Sequence, residues 1–95
     1  WFALQCAAIA LGAPLVEEHF YRGWLWQRLA PHWPGWAVAA ATGAVFALAH
    51  AQYALSVLPI AIGLSLLRLH DGGLRAPLAL HAAMNIMAVA VLLTK

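Results

Sequence analysis

The amino-acid sequence predicts an all-α protein, a polytopic bundle of about four transmembrane helices. Of its 95 residues, 65% are hydrophobic and only 8% are charged, whereas about a quarter of the residues in a soluble globular domain are charged. No Asp, Glu, Lys or Arg occurs from residue 29 to residue 67. So few charged side chains cannot cover the surface of a compact soluble body, and we therefore expect an integral, multi-pass membrane protein.

Turn-forming residues divide the apolar sequence into four stretches. A membrane-spanning helix needs roughly 17 to 25 residues, and three breaks leave stretches close to that length. The first break is the proline-containing segment 30–35, the second is a short link at 51–54, and the third is a glycine-containing turn at 71–76. The expected helices therefore cover about 2–29, 36–50, 55–70 and 77–94.

Small residues recur four positions apart on two of these helices. Faces of small residues let helix backbones approach closely in lipid, where apolar burial does not drive association. We expect such close packing at Ala8 and Gly12, and along Ala39, Gly43 and Ala47.

Charge and cysteine content limit the possible functions. The net charge is +2 and the five Lys and Arg residues are scattered, which argues against a nucleic-acid partner. The single cysteine, Cys6, permits neither an internal disulfide nor a thiolate metal cluster. Arg28, Arg68 and Arg75 flank the first and third connections, which predicts that this side of the bundle is cytoplasmic. Because the chain opens with Trp1 and lacks a basic signal-peptide start, we expect a segment of a longer membrane protein.

Three charged residues interrupt the first predicted helix after sixteen uncharged positions. An ionisable group within a membrane costs at least about 2.5 to 3.5 kcal/mol, so those present are usually functional or paired. Glu18 and Arg22 are four residues apart and are expected to form an ion pair. Glu17 lies about 100° further around the helix, lacks that partner and suits proton transfer. The alternative is that both carboxylates mark a helix end among the lipid headgroups.

Two other helices carry isolated polar residues. His50 follows thirteen almost wholly apolar residues, and His81 and Asn85 are spaced by four, so that they project side by side. Each can simply form a hydrogen bond with a neighbouring helix. Together with Glu17 they supply a carboxylate, two imidazoles and an amide, which can activate water and stabilise an oxyanion. His19 is expected to lie outside such a site, and Ser65 has no triad partner at a recognisable spacing.

Three motifs occur in order: Glu-Glu-His-Phe-Tyr-Arg-Gly at 17–23, Phe-Ala-Leu-Ala-His at 46–50 and His-Ala-Ala-Met-Asn at 81–85. They resemble the EExxxR, FxxxH and HxxxN motifs of the CPBP family of intramembrane proteases. That family contains the type II CAAX prenyl endopeptidases and the Abi proteins linked to bacteriocin self-immunity. The resemblance covers essentially the whole chain, which implies that residues 1–95 are the conserved core of an intramembrane protease domain, in the cytoplasmic membrane of a bacterium.

The resemblance implies a role for each motif residue. Glu17 and His50 are expected to activate the attacking water, while His81 and Asn85 hold the developing oxyanion. Glu18 and Arg22 would support the first helix. The implied substrate is a peptide or lipidated protein, of the prenylated CAAX type in part of the family, and the implied surroundings are membrane lipid.

The resemblance leaves the metal requirement open. The family has been described both as metal-dependent and as glutamate-dependent without a bound metal. If zinc is used, Glu17, His50 and His81 can supply its three protein ligands. We favour a mechanism without a cofactor, since Asn85 is a poor zinc ligand but a natural oxyanion donor. The order of residues after Glu17 also differs from the HExxH motif of zinc proteases.

Two other classes of function compete with a protease. One is a non-catalytic membrane scaffold or self-immunity protein of the same fold, in which the polar residues serve helix packing. The other is a proton or ion pathway, because intramembrane Glu and His residues also form relays. A relay needs polar residues spread through the membrane, whereas a hydrolase needs them at one point. Three motifs on three helices favour the hydrolase.

Overall fold

The computed structural model describes all residues 1–95 and contains four helices and no strands, which confirms the all-α class. Helix α1 is a continuous helical run through residues 2–29, α2 is Gly35–Leu48, α3 is Ala54–Asp71 and α4 is Arg75–Leu93. A single 3-10 turn, Ala51–Tyr53, links α2 to α3. The helix ends differ from the predicted ones by at most two residues, within the usual uncertainty of helix ends. One difference matters: α2 ends at Leu48, so His50 lies in the turn that follows the helix.

Helix α1 contains two π-helical turns. Its successive segments are Phe2–Ala7, Ala8–Gly12 (π), Ala13–Glu18, His19–Leu25 (π) and Trp26–Leu29. In a π turn the backbone hydrogen bonds run from residue i to i+5, and such turns are frequent at functional sites. The backbone of α1 is therefore locally widened on either side of the two glutamates.

The first π turn leaves a backbone carbonyl free. The Ala13 N–H bonds to the carbonyl of Ala8, so it is not available to Ile9, and the next residue, Pro14, has no N–H to give. The Asn85 side chain from α4 donates to this Ile9 carbonyl at 2.8 Å. This hydrogen bond joins α1 to α4 through an acceptor that α1 itself does not use.

Helices α2 and α3 have the most extensive contact in the bundle. A Cβ atom added at Gly43 of α2 would lie 3.2 Å from Cα of Ile62 and 3.3 Å from the carbonyl carbon of Ala61. The two backbones therefore meet at Gly43, and Ala39 and Ala47 on either side are also buried, as the small-residue spacing predicts. Around Gly12 no atom lies within 4 Å of an added Cβ, so the expected close approach at that position is wrong.

The surface of the bundle is apolar. Only 15 of the 95 residues are buried, and exposed large hydrophobic side chains occur on all four helices. Two helical stretches, Ala51–Asp71 and Arg75–Leu93, are long and apolar enough to span a membrane, with only 17% and 11% of their apolar windows buried. A core helix of a soluble protein would be mostly buried, so these two helices fit lipid better.

Helix α2 does not meet the length expected of a spanning helix. Its 14 residues extend about 21 Å at 1.5 Å per residue, less than the roughly 30 Å of a hydrocarbon core. The structure has the four helices that the sequence predicted, and two of them are long and apolar enough to span a membrane. The polar residues described next lie on all four helices and in the turn after α2.

Candidate active site

An ion pair on α1 lies at the centre of the bundle. The Arg22 Nη1 donates to Oε2 of Glu18 at 2.9 Å, and both side chains are fully buried. The sequence spacing predicted this pair, and the structure confirms it. The guanidinium also lies 4.6 Å from the centre of the Phe46 ring on α2, where the face of an aromatic ring attracts a cation. Arg22 is therefore compensated by a carboxylate and by a π system.

His81 of α4 lies between the two glutamates. Its Nδ1 is 2.7 Å from Oε2 of Glu18, and its Nε2 is 3.3 Å from Oε1 of Glu17. Because adjacent helical residues point about 100° apart, Glu18 is fully buried while the Glu17 side chain is 32% exposed. One imidazole thus joins a buried carboxylate to an accessible one.

A cavity of about 230 Å³ opens next to this cluster. His50, His81 and Asn85 supply its polar lining, and the remaining lining residues are apolar: Phe46, Val57, Ile60, Leu64, Met84 and Ala88. Glu17 is not part of the lining, but it contacts His81, which is. The structure thus brings three of the four predicted site residues to one cavity and places the fourth beside it.

The turn after α2 orients His50 towards the cavity. Its Nδ1 lies 2.8 Å from the carbonyl oxygen of Phe46, and its ring packs against the Phe46 ring with 4.7 Å between the ring centres. The next residue, Ala51, has a φ of 52°, an uncommon backbone conformation for a residue with a Cβ. The local strain accompanies a tight turn that presents His50 to the site.

His19 lies outside the cavity, as predicted. Its side chain is exposed, and its Nδ1 bonds to the carbonyl of Leu15 one turn earlier on the same helix. It is therefore a titratable neighbour of Glu17 and Glu18 that takes no part in their cluster.

A family model described as type II CAAX prenyl endopeptidase Rce1-like matches residues 1–87. The chain belongs to this family. Comparisons with curated proteins and with solved structures gave no match. Membership confirms the resemblance that the three motifs indicated and makes the chain part of a family of membrane-embedded proteases. All three motifs lie within the matched residues.

Two buried residues next to the ion pair were not assigned a role from the sequence. Thr42 of α2 and Ser65 of α3 are both fully buried, and their hydroxyl oxygens are 2.9 Å apart. Arg22 Nε donates to the Ser65 hydroxyl at 3.2 Å. One signal was available: Thr42 is the only hydroxyl residue within α2, and it lies four residues before Phe46, hence on the same face. No comparable spacing indicated Ser65.

The side chains are not arranged as ligands of a metal ion. No group of three or more His, Cys, Asp or Glu residues has the proximity that a bound metal requires. Zinc needs nitrogen and oxygen donors at about 2.0 to 2.2 Å around one point, whereas both ring nitrogens of His81 face carboxylates. The set Glu17, His50 and His81 therefore does not fit zinc in this conformation.

Proposed function

We propose that this chain is the catalytic core of an intramembrane endopeptidase that hydrolyses a peptide bond in a membrane-associated substrate of the prenylated CAAX type. Family membership supports a CAAX-type intramembrane protease. The observation that carries the proposal is the position of His81, which contacts Glu17 and lines the same cavity as His50 and Asn85. The site therefore combines a general base, hydrogen-bond donors and an adjacent space for a reacting group.

Two groups can accept protons from an attacking water. Glu17 is a partly exposed carboxylate beside the cavity. His50 directs Nδ1 at the Phe46 carbonyl, and because a carbonyl only accepts, the proton lies on Nδ1 and the other ring nitrogen is free to accept. We assign Glu17 as the general base and His50 as the second acceptor that orients the water.

Two groups can donate to the oxyanion. Glu18 accepts a hydrogen bond from His81 Nδ1, so any second proton on the ring lies on Nε2, next to Glu17. Asn85 carries two amide N–H groups and uses one of them on the Ile9 carbonyl. The remaining N–H of Asn85 would hold the oxyanion together with the Nε2–H of His81. The His81 Nε2 lies 3.3 Å from Oε1 of Glu17, and its N–H would turn to the oxyanion once Glu17 has accepted the proton of the water.

The proposed reaction balances without another reactant. The water oxygen bonds to the substrate carbonyl carbon, its proton passes to Glu17, and the carbonyl electron pair moves onto the oxygen held by His81 and Asn85. When the tetrahedral intermediate collapses, the C–N bond breaks and Glu17 returns the proton to the leaving amine. The products are a carboxylic acid and a free amine. We propose that no metal takes part, because a His81 ring that bonds to Glu18 through Nδ1 and donates to the oxyanion through Nε2 has no lone pair left for a metal ion.

We further propose a multi-pass arrangement in the cytoplasmic membrane of a bacterium. The exposed apolar side chains of the bundle suit contact with lipid. The arginines at the first and third connections would face the cytoplasm. The substrate would then be a lipidated or other membrane-associated peptide that reaches the cavity from the bilayer.

The experiment is proteolysis by the full-length protein in liposomes, with a fluorogenic peptide that ends in a prenylated CAAX sequence. Glu17→Gln keeps the shape of the side chain and removes the base, so turnover should fall by at least about 10²-fold, as general-base catalysis contributes 10²- to 10⁴-fold. His19→Gln, an exposed neighbour on the same helix, is the matched control and should retain activity.

Two results would overturn the proposal. Wild-type activity in Glu17→Gln would remove Glu17 from the mechanism. A folded wild-type protein that cleaves neither prenylated nor unprenylated peptides would favour the non-catalytic scaffold or self-immunity function.

A further inference from the structure

Two hydroxyl groups at the centre of the bundle have no part in the reaction as described. Thr42 and Ser65 come from different helices, both are fully buried, and their oxygens are in hydrogen-bond contact at 2.9 Å. Neither residue lines the cavity. A buried hydroxyl needs a hydrogen-bond partner, but that partner can lie anywhere in the core. In this bundle the hydrogen bonds of the two hydroxyls continue through Arg22 and Glu18 to His81.

The direction of the hydrogen bonds follows from one carbonyl. Thr42 Oγ1 lies 2.9 Å from the carbonyl oxygen of Val38. A carbonyl only accepts, so the single Thr42 proton points there, and Thr42 must accept from Ser65. With its own proton directed at Thr42, Ser65 presents a lone pair to the Nε–H of Arg22, 3.2 Å away.

Arg22 transmits this arrangement to the site. Its guanidinium donates three hydrogen bonds: Nε to Ser65, Nη2 to the Ala61 carbonyl at 2.7 Å, and Nη1 to Glu18. Because the guanidinium is planar and its donors have fixed directions, holding two of them on α3 fixes the third. Glu18 in turn accepts from Nδ1 of His81 through the same oxygen, Oε2.

We propose that Thr42 and Ser65 are positioning residues for the hydrolysis, an inference that rests on the proposed function. They hold Arg22, and through it Glu18, so that His81 keeps a proton on Nδ1 and turns Nε2 towards Glu17. The chain of hydrogen bonds crosses all four helices, and successive bonds polarise one another.

Loss of the Thr42 hydroxyl should disturb the position of His81, the last residue of this chain of hydrogen bonds. A helical serine readily donates to the carbonyl four residues earlier, which for Ser65 is Ala61, the acceptor that Arg22 Nη2 uses. Ser65 would then compete with Arg22 for that carbonyl. The guanidinium, Glu18 and His81 would shift together.

The test compares two substitutions of one residue in the full-length protein in liposomes. Thr42→Val keeps the side-chain shape and removes the hydroxyl, whereas Thr42→Ser keeps the hydroxyl and removes a methyl group. Thr42→Val should lower kcat by about 10- to 100-fold with KM unchanged, since misplacement of a reacting group by about 1 Å can cost 10²-fold. Thr42→Ser should stay close to wild type. Ser56→Ala, an exposed serine on α3, is the matched control.

A packing role alone predicts the reverse order, because serine leaves a gap that valine fills. A second readout follows the His81 ring directly: its ¹⁵N signals in histidine-labelled protein, assigned with His81→Gln, should shift in Thr42→Val and not in Thr42→Ser. If Thr42→Val does not fold, Ser65→Ala is judged by the same kcat and ¹⁵N criteria.

The outcomes separate the two proposals. An inactive wild-type protein overturns the proposed function, and the positioning role with it. An active wild type with Thr42→Val at full kcat, or with Thr42→Ser as impaired as Thr42→Val, overturns the positioning role and leaves the protease standing.

Discussion

Replacement of Arg22 by methionine should strongly destabilise the folded bundle. Methionine fills most of the arginine volume but leaves the Glu18 carboxylate, which is fully buried, without its positive partner. One carboxylate oxygen, Oε1, already has no hydrogen-bond partner, so His81 would be the sole remaining donor to this group. Breaking a buried ion pair by removing one partner costs about 3 to 5 kcal/mol. Arg22→Met should lower the free energy of unfolding by about that amount.

The double variant tests whether the uncompensated charge is the cause. Glu18→Gln combined with Arg22→Met removes both charges and keeps an acceptor for His81. Because removal of both partners of a buried pair is often near neutral, the double variant should be more stable than Arg22→Met alone. Arg28→Met is the matched control: this arginine is exposed, lies 5.3 Å from the Trp24 ring centre, and should contribute at most about 1 kcal/mol.

The measurement is equilibrium unfolding of the full-length protein in detergent micelles, followed by helical circular dichroism. All four proteins are compared under identical conditions. If Arg22→Met is no less stable than Arg28→Met, or if the double variant is less stable than Arg22→Met, the buried-charge argument is wrong.

Three further predictions concern packing, catalysis and metal. Gly43→Ala places a Cβ against the α3 backbone and should cost about 1 to 3 kcal/mol of stability. Gly63→Ala, with no atom of another segment within 4 Å of the added Cβ, should be neutral or stabilising. Thermal unfolding of the two variants measures this difference in stability. Asn85→Ala should lower kcat by about 10²- to 10³-fold, the usual loss on removing one oxyanion donor, with the fold retained; unchanged kcat would exclude Asn85 from the oxyanion site. Activity should survive exhaustive chelation in protein shown by elemental analysis to be free of metal, and loss that added zinc restores would contradict the metal-free mechanism.

The sequence predicts contacts within one helix better than contacts between helices. Glu18 and Arg22 pair as their four-residue spacing indicates, because helix geometry alone brings such residues together. The second and third motifs also identified residues that line one cavity, and the first supplies Glu17, which contacts His81 beside it. His81 contacts both glutamates because α4 packs against α1. Residue spacing along the chain does not reveal this packing between helices.

The remaining misses have physical causes. Ser65 gains its role from an arginine 43 residues away, so only the tertiary structure discloses it. The expected close approach at Gly12 assumed an α-helical register, but Gly12 ends a π turn, where the hydrogen-bond register is wider. His50 was expected at the end of α2, but the turn at Ala51 ends that helix earlier.

The free carbonyl of Ile9 determines what Asn85 can contribute to a reaction. A primary amide turned by 180° exchanges its oxygen for its nitrogen, so an unrestrained asparagine would present either a donor or an acceptor to the cavity. Because the carbonyl attracts the Nδ2 end and repels the oxygen, the amide is held in one of these two orientations. Its orientational entropy is therefore lost when the chain folds and not when the substrate binds. A proline on α1, through the N–H that it lacks, thus preorganises a side chain on α4.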